Sequence, residues 1–282
     1  MTPGAGNRIR LVRDGASGVE AIRARFFGHA YDLHRHDEWL VGVTEQGVQE
    51  FLCRGARRRS LTGQVILIEP QEAHDGQAGA AEGFRYSMLY LPRPWLRAGL
   101  GDGGGGDPGF SASLVHDPVL GDSIRAAYAA LAEAAPRLVS DAALDRVLLR
   151  LRPHLGRPAR RGTAGRDDAV ARRARDRLHD LILEDVGADA LARAAGAVDR
   201  FHLARAFRAS FATSPHAYLV QIRLLRARRL LAMGERPAAV AAACGFADQS
   251  HLGRWFRRAY GLTPAAYRAC CTGVPDRAAA IG

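Results

Sequence analysis

The sequence predicts an α+β chain, in which an N-terminal antiparallel β-barrel with a helical pair is followed by an all-α domain of two helix-turn-helix units. Three observations carry that prediction. Short runs of β-forming residues between Gly and Pro punctuate residues 26–91, helical periodicity takes over after residue 110, and a 49-residue internal repeat occupies the C-terminal third.

In the first stretch, Trp39 to Thr44 reads as a strand, Glu45-Gln46-Gly47 as a turn and Val48 to Cys53 as its hairpin partner. Val65 to Ile68 ends at Pro70, and Phe84 to Leu91 ends at Pro92. Many short strands with Gly turns imply an antiparallel barrel or jelly roll. Gly101 to Gly109 holds six Gly and reads as a flexible loop. Two helical stripes follow. Leu120, Ile124, Ala127 and Leu131 form one; Leu144, Val147, Leu148, Leu151 and Leu155 form the other, with Ser140 as its N-cap. Such a pair serves either as packing against the barrel or as a subunit interface for a homodimer, and the pattern fits both. Gly156 to Asp168, rich in Pro, Gly and Arg, reads as a linker. The expected domains are therefore 1–155, the linker 156–168, a helical domain 169–272 and a flexible tail 273–282.

Charge points to the partner. The chain of 282 residues has a net charge of +11, and its 40 basic residues are all Arg. Between Arg157 and Cys271 there are 21 Arg against 10 acidic residues, whereas the rest of the chain carries 19 of each. The whole excess lies in the C-terminal part, as expected of a domain that contacts a polyanion. Met1 to Arg25 is polar and Gly-rich rather than a secretory signal, and no apolar run reaches membrane-spanning length, so the expectation is a cytoplasmic protein with no membrane partner. Cys53, Cys244, Cys270 and Cys271 lack CxxC spacing, which argues against a zinc ribbon or a redox motif. Cys244 falls on an apolar helical face as a small core residue.

The repeat carries the functional argument. Gly196, Asp199, His202, Leu203, Arg205, Phe207 and Arg208 recur as Gly245, Asp248, His251, Leu252, Arg254, Phe256 and Arg257, and the match continues through Pro215, Ala217 and Tyr218 against Pro264, Ala266 and Tyr267. Over 196–218 against 245–267, ten of 23 positions are identical. In each copy a short Ala-rich helix ends at a Gly suited to a left-handed C-cap, and an Asp stands where the next helix needs its N-cap. Leu203 with Phe207, and Leu252 with Phe256, face the core at i, i+4 spacing. That leaves Phe201, Ala204, Arg205, Gln249, Ser250, Gly253 and Arg254 outward as candidate base contacts, and Arg200, Arg208 and Arg257 as candidate phosphate contacts. Arg can pair bidentately with guanine and Gln with adenine in the major groove of double-stranded DNA. Between the copies, Ser214 to Met233 reads as one amphipathic helix, whose length of roughly 27 Å suits two recognition helices about one DNA turn apart.

At these residues the chain resembles the AraC/XylS family of bacterial regulators. The resemblance is carried by Ala243-Cys244-Gly245-Phe246, Asp248-Gln249-Ser250-His251-Leu252, Arg254, Phe256-Arg257-Arg258, Tyr260-Gly261, Thr263-Pro264 and Tyr267-Arg268, within residues 170–269. One departure is Ala212, where the family has Gly; the second copy keeps Gly261. The resemblance implies a transcription regulator, with RNA polymerase as a further partner if it activates. It also implies that residues 26–91 form a cupin-like sensing domain, through His34-Arg35-His36, the Gly47 turn, Gly63 and Pro70 to His74.

That domain raises the question of chemistry. His34, His36 and His74 are similar to the three histidines with which cupin enzymes hold a metal, but the cupin motif also wants a Glu after the second His. Position 41 is Val and Glu38 comes too early. No metal, cofactor or catalytic residue is therefore assigned, and His34, His36, Glu38, His74 and Arg85 are read as a pocket for a small-molecule effector. The alternative is a cupin-type metalloenzyme with an accessory nucleic-acid-binding domain. An RNA binder fits less well, since no aromatic platform alternates with Arg along the strands.

Overall fold

The computed structural model describes residues 7–101, 108–158, 166–184 and 186–272. The chain divides near residue 160 into two compact units. Expectations for the centre of the Gly-rich loop (102–107), for most of the linker (159–165) and for the tail (273–282) lie outside the described residues.

The first unit contains β1 (Arg8–Arg13), β2 (Glu20–Phe26), β3 (His29–His34), β4 (Trp39–Cys53), β5 (Ala56–Leu61), β6 (Val65–Ile68), β7 (His74–Ala78), β8 (Phe84–Leu91), α1 (Arg93–Leu100), β9 (Pro108–Phe110), β10 (Leu114–Val115), α2 (Pro118–Ala132), α3 (Arg137–Leu151) and β11 (Leu155–Pro158). Nine strands form one antiparallel sheet with a main path β1-β2-β8-β4-β6-β10, while β3, β7 and β5 branch from the second half of β4. The sheet folds over on β4 but is not a closed barrel. One face is packed by α1, α2 and α3 over a core that includes Trp39, Val41, Val43, Leu89, Leu91, Leu120, Ile124, Leu144, Val147 and Leu151.

Four local expectations are corrected. Glu45-Gln46-Gly47 is not a turn: β4 runs through it as one 15-residue strand with a bulge between Thr44 and Gln46. Gly47 is needed there for a different reason. Its φ is +70°, and a Cβ at this position would meet the Gly83 carbonyl oxygen at 2.1 Å. The true hairpin turn is Arg54-Gly55, between β4 and β5, with φ of 54° and 71°. Positive φ at both central residues is what a type I′ turn requires, and Arg-Gly lacks the usual Asn or Asp signature. Next, α3 starts at Arg137 after Pro136, so Ser140 is a buried residue inside the helix and not its cap. The helix stops at Leu151 because Pro153 follows, and Leu155 stands in β11. Finally, the ends of the expected linker are ordered elements: residues 156–158 lie in β11, and 166–168 open the next helix.

The second unit contains α4 (Arg166–Asp180), α5 (Ala188–Ala195), α6 (Arg200–Phe211), α7 (Pro215–Ala232), α8 (Pro237–Ala243), α9 (Gln249–Tyr260) and α10 (Pro264–Thr272). Val170, Ala174, Leu178, Leu191, Leu203, Phe207, Tyr218 and Ile222 form the core under the first helix-turn-helix. The repeated aromatic pair makes the same contact in each copy: ring centroids are 5.4 Å apart for Phe207–Tyr218 and 5.5 Å for Phe256–Tyr267. Between the copies, α7 is buried along most of its length, including Arg228, whose guanidinium lies 5.6 Å from the Tyr267 ring centre. Cys53 and Cys244 are buried, and burial pushes their thiols up to about 12 and about 11.

At the end of α6, Ala212 holds the left-handed conformation (φ 54°, ψ 20°) that Gly261 supplies at the equivalent point of the second copy (φ 72°). A Cβ in this region costs roughly 1–2 kcal/mol. Two outcomes follow. Ala212→Gly is expected to stabilise the second unit by about 1 kcal/mol in chemical denaturation. Gly47→Ala, which meets both positive φ and the Gly83 carbonyl, is expected to destabilise the first unit by about 2–4 kcal/mol. Unchanged unfolding midpoints would contradict either one.

Candidate nucleic-acid interface and histidine cluster

Both helix-turn-helix turns are built alike, bond for bond. In the first, the Gly196 N–H donates to the Arg193 carbonyl (3.1 Å) and the Ala197 N–H to the Ala192 carbonyl (2.9 Å); in the second, Gly245 donates to Ala242 (3.3 Å) and Phe246 to Ala241 (3.0 Å). This pair of bonds closes a helix through a left-handed residue, and Gly196 and Gly245 have φ of 71° and 74°. Three residues after each Gly, an Asp starts the next helix. Asp199 Oδ1 accepts from the His202 N–H at 2.6 Å, and Asp248 Oδ1 from the His251 N–H at 2.6 Å. The shared His does different work in the two copies. His202 Nδ1 accepts from the Val198 N–H, whereas His251 Nε2 accepts from the Trp255 indole N–H.

The caps set the rotation of α6 and α9, and the apolar residues seat it. Leu203, Phe207, Leu252 and Phe256 are buried. Phe201, Ala204, Arg205, Arg200 and Arg208 are exposed on α6; Gln249, Ser250, Arg254 and Arg257 are exposed on α9, with Gly253 half-buried between them. Phe201 keeps 61% of its surface exposed, which is unusual for so large an apolar side chain. Arg200 lies over the Phe201 ring at 5.0 Å and near Asp189 at 3.9 Å. Among the described residues, Arg205, Arg254 and Arg257 form no ion pair, so their guanidinium groups are available to an outside partner. Gly253 is informative because nothing inside the protein requires it. A Cβ there would have no neighbour within 4 Å, although Gly in a helix interior costs about 1 kcal/mol relative to Ala.

In the first unit, β3 and β7 pair with His34 opposite His74. His36 follows two residues after His34 and joins them. Ring centroids are 4.7 Å apart for His34–His36, 4.5 Å for His34–His74 and 5.3 Å for His36–His74. All three rings are buried. His34 Nδ1 donates to the Asp32 carbonyl (2.7 Å) and His74 Nδ1 to the Glu72 carbonyl (2.9 Å), each two residues earlier. Burial lowers the His74 pKa to about 4, so its ring is neutral at pH 7. Tyr90 packs on His36 at 5.0 Å and Tyr31 on His34 at 5.8 Å. Tyr31 and Tyr86 share a hydrogen bond between their hydroxyls, and burial raises the pKa of both.

Two expected members of this pocket fare differently. Glu38 is half-buried on the segment between β3 and β4. Arg85 is not brought to the histidines. It alternates with Tyr86 along β8 and therefore faces the other way, where it meets Glu45 at 3.2 Å. Glu45 also binds Arg23 (3.0 Å) and accepts from the Ser87 hydroxyl (2.6 Å), while Arg23 lies 4.2 Å from the Tyr128 ring centre. The sequence reading missed the tyrosines of the histidine face. Their signal was the alternation of Tyr86, Met88 and Tyr90 along β8.

Comparison with known proteins agrees with this geometry. Residues 17–152 match the model of the AraC-like ligand binding domain, and residues 191–269 match a helix-turn-helix domain model. An uncharacterized HTH-type transcriptional regulator, YbfI of Bacillus subtilis, is 24% identical over 221 residues, covering 78% of this chain and 80% of its own. Among solved structures, ToxT of Vibrio cholerae with an unsaturated fatty acid bound has a TM-score of 0.54 at 11% identity, covering 98% of this chain and all of its own. ToxT bound to (E)-4-(8-methylnaphthalen-1-yl)but-3-enoic acid gives 0.52 at 12% identity, covering 95% of this chain and all of its own. With an AraC-like ligand-binding domain joined to a helix-turn-helix domain, the chain belongs to the AraC family of transcription regulators.

Proposed function

We propose that this regulator reads double-stranded DNA with α6 and α9 placed in successive major-groove segments, and that a small molecule held on the histidine face of the first unit modulates that binding. The single observation that carries the DNA reading is the duplicated turn, which presents two outward helix faces of Arg, Gln and small residues. Arg254 and Gln249, with Ser250 and Gly253, are assigned to bases in one segment. Arg205, with Phe201 and Ala204 against thymine methyl groups, is assigned to the other. Arg200, Arg208 and Arg257 are assigned to phosphates. The two faces differ in composition, so each reads a different half-site.

The effector is assigned to His34, His36 and His74, with Glu38 two residues after His36, while Arg85 is withdrawn. The aromatic surroundings of Tyr31, Tyr86 and Tyr90 suit an effector with an apolar body and a polar head, and the two ToxT complexes hold carboxylic acids of that general kind. Such a ligand shifts DNA binding only through different affinities for two states of the protein. The protein is read as a regulator rather than an enzyme, acting in the cytoplasm. No described helix is long and apolar enough to cross a membrane. A homodimer through α3 is part of the same reading, because Leu138 and Leu149 there are 80% and 60% exposed. If it activates transcription, RNA polymerase is a further partner.

Selection of bound DNA from a random pool by the full chain tests the assignment. Arg254→Ala is expected to cost about 1–3 kcal/mol and to relax one base position. Arg257→Ala is expected to weaken all sequences alike and to lower the slope of log K against log salt by about 0.9. Identical behaviour of the two variants refutes this division of roles. Gly253→Ala is expected to raise helix stability by about 0.5–1 kcal/mol while reducing DNA affinity. Unaltered affinity would remove Gly253 from the interface.

A further inference from the structure

The two helix-turn-helix turns share one further part. In each, an Arg from the long helix before the turn lies against the closing glycine. A Cβ at Gly196 would meet Nη2 of Arg173, on α4, at 3.1 Å, and a Cβ at Gly245 would meet Cζ of Arg223, on α7, at 3.0 Å. The bonds of the two Arg differ. Arg173 Nε donates to the Ala195 carbonyl at 2.8 Å, inside the turn that it covers. Arg223 reaches the other way: Nε donates to the Ile182 carbonyl at 2.7 Å and Nη2 to the Glu184 carbonyl at 2.9 Å, where the chain leaves α4. That connection belongs to the first half of the unit, since Ile182 and Val186 pack on its core. Gly245 belongs to the second half. One guanidinium touches both.

Its place and shape suit a latch. The first part of α7 enters the first core through Tyr218, Leu219 and Ile222, and farther along Arg228 lies near the Tyr267 ring of the second copy. Arg223 stands between them. A helix shared by two small cores fixes their separation by its length, but rotation about its axis is opposed only by side-chain contacts. Cζ, Nε and Nη2 of Arg223 all lie 3.0–3.1 Å from where a Gly245 Cβ would stand, so the guanidinium plane faces the glycine. With Arg173, one atom comes as close to Gly196 and the next lies at 3.8 Å. A rigid planar fork can hold two carbonyls and press a flat face on a glycine at once, which the single ammonium of a Lys cannot.

We propose that Arg223 is a positioning residue that sets the angle between α6 and α9, and with it the half-site spacing that the protein accepts. The inference rests on the placing of these helices in successive major-groove segments. Once one of them has docked, docking of the other is intramolecular, and its strength depends on how well the link holds it over its site. A firm link gains affinity at one spacing and loses it at others. A loose link accepts several spacings with less affinity at each.

The test uses the full chain and duplexes recovered by the wild type from a random pool. Three kinds are compared: the selected two-part site, that site with one base pair inserted between its parts, and that site with either part scrambled. Low salt keeps binding to a single part measurable. One inserted base pair moves a half-site by about 3.4 Å and turns it by roughly a tenth of a turn, so the wild type is expected to lose at least about 10-fold in affinity. Arg223→Met is expected to bind the intact site about 10-fold more weakly, each scrambled site within about 2-fold of the wild type, and to lose less than about 3-fold on insertion. Arg173→Met, which breaks a bond inside one half, is expected to weaken the part read by α6 and to keep the wild-type loss on insertion. Far-UV circular dichroism matching the wild type qualifies each variant, with Arg223→Lys, which lacks the fork, as the substitute if Arg223→Met does not fold. An Arg223 variant that keeps the wild-type loss on insertion overturns the proposal and leaves the two-groove reading standing. Equal weakening on intact and scrambled sites also overturns it, because that marks a merely structural role. A wild type indifferent to the insertion refutes the two-groove reading and the proposal with it.

Discussion

A helix that must stop, turn and start again within four residues has few backbone solutions, and the second unit is organised around one of them. The residue after the helix takes a left-handed conformation so that two N–H groups can reach back to the last open carbonyls. An Asp then receives the first free N–H of the next helix. Gly196 with Asp199, and Gly245 with Asp248, meet both demands with the same bonds. Once the turn is fixed, the direction of α6 and α9 follows, and burial of Leu203, Phe207, Leu252 and Phe256 decides which face remains outside. The outward Arg, Gln and small residues are a consequence of that turn. Where the closing residue after α6 is Ala212 rather than Gly, the same conformation persists because Thr213, Ser214 and Pro215 commit the chain to α7, whose first turn is capped by the Ser214 hydroxyl.

In the first unit the corresponding constraint is alternation along strands. Every second residue of β8 faces α2 and every other one faces the histidines, so adjacent residues serve unrelated purposes. Arg85, Ser87 and Glu45 form a polar island with Arg23 and Tyr128 under a helix. Tyr86 and Tyr90 line the opposite face. A charged residue next to one of these tyrosines therefore says nothing about the histidine face until its own face is known. Both sets are held by β4, whose first half pairs with β6 and β8 and whose second half pairs with β5 and β7.

Much of the second unit was legible in advance, because its signals are local. Helix-turn-helix caps act over four residues and core stripes over one helix, so Asp199 and Asp248 as caps and the buried Leu–Phe pairs were readable directly. The first unit was less legible. β1 and β2 lay outside the expected strand region, although Ile22, Ala24 and Phe26 alternate with Arg23 and Arg25. β5, with Arg57, Arg58 and Arg59 exposed, carries almost no apolar pattern. Gly47 read as a turn because Glu-Gln-Gly is turn-like in composition. Only the approach of the Gly83 carbonyl shows that the glycine serves a close contact within a continuous strand.

The sequence by itself determined the duplicated module, the side of each recognition helix that faces outward and the concentration of positive charge around them. Those properties depend on residues within a few turns of one another, where spacing is enough. Tertiary structure alone decided that His34, His36 and His74 converge, that Arg85 points away from them and that β4 is one strand rather than a hairpin. His34 and His74 are 40 residues apart, and only the pairing of β3 with β7 makes them neighbours. Cross-strand register is set by the packing of the whole sheet, so no local pattern could have specified it.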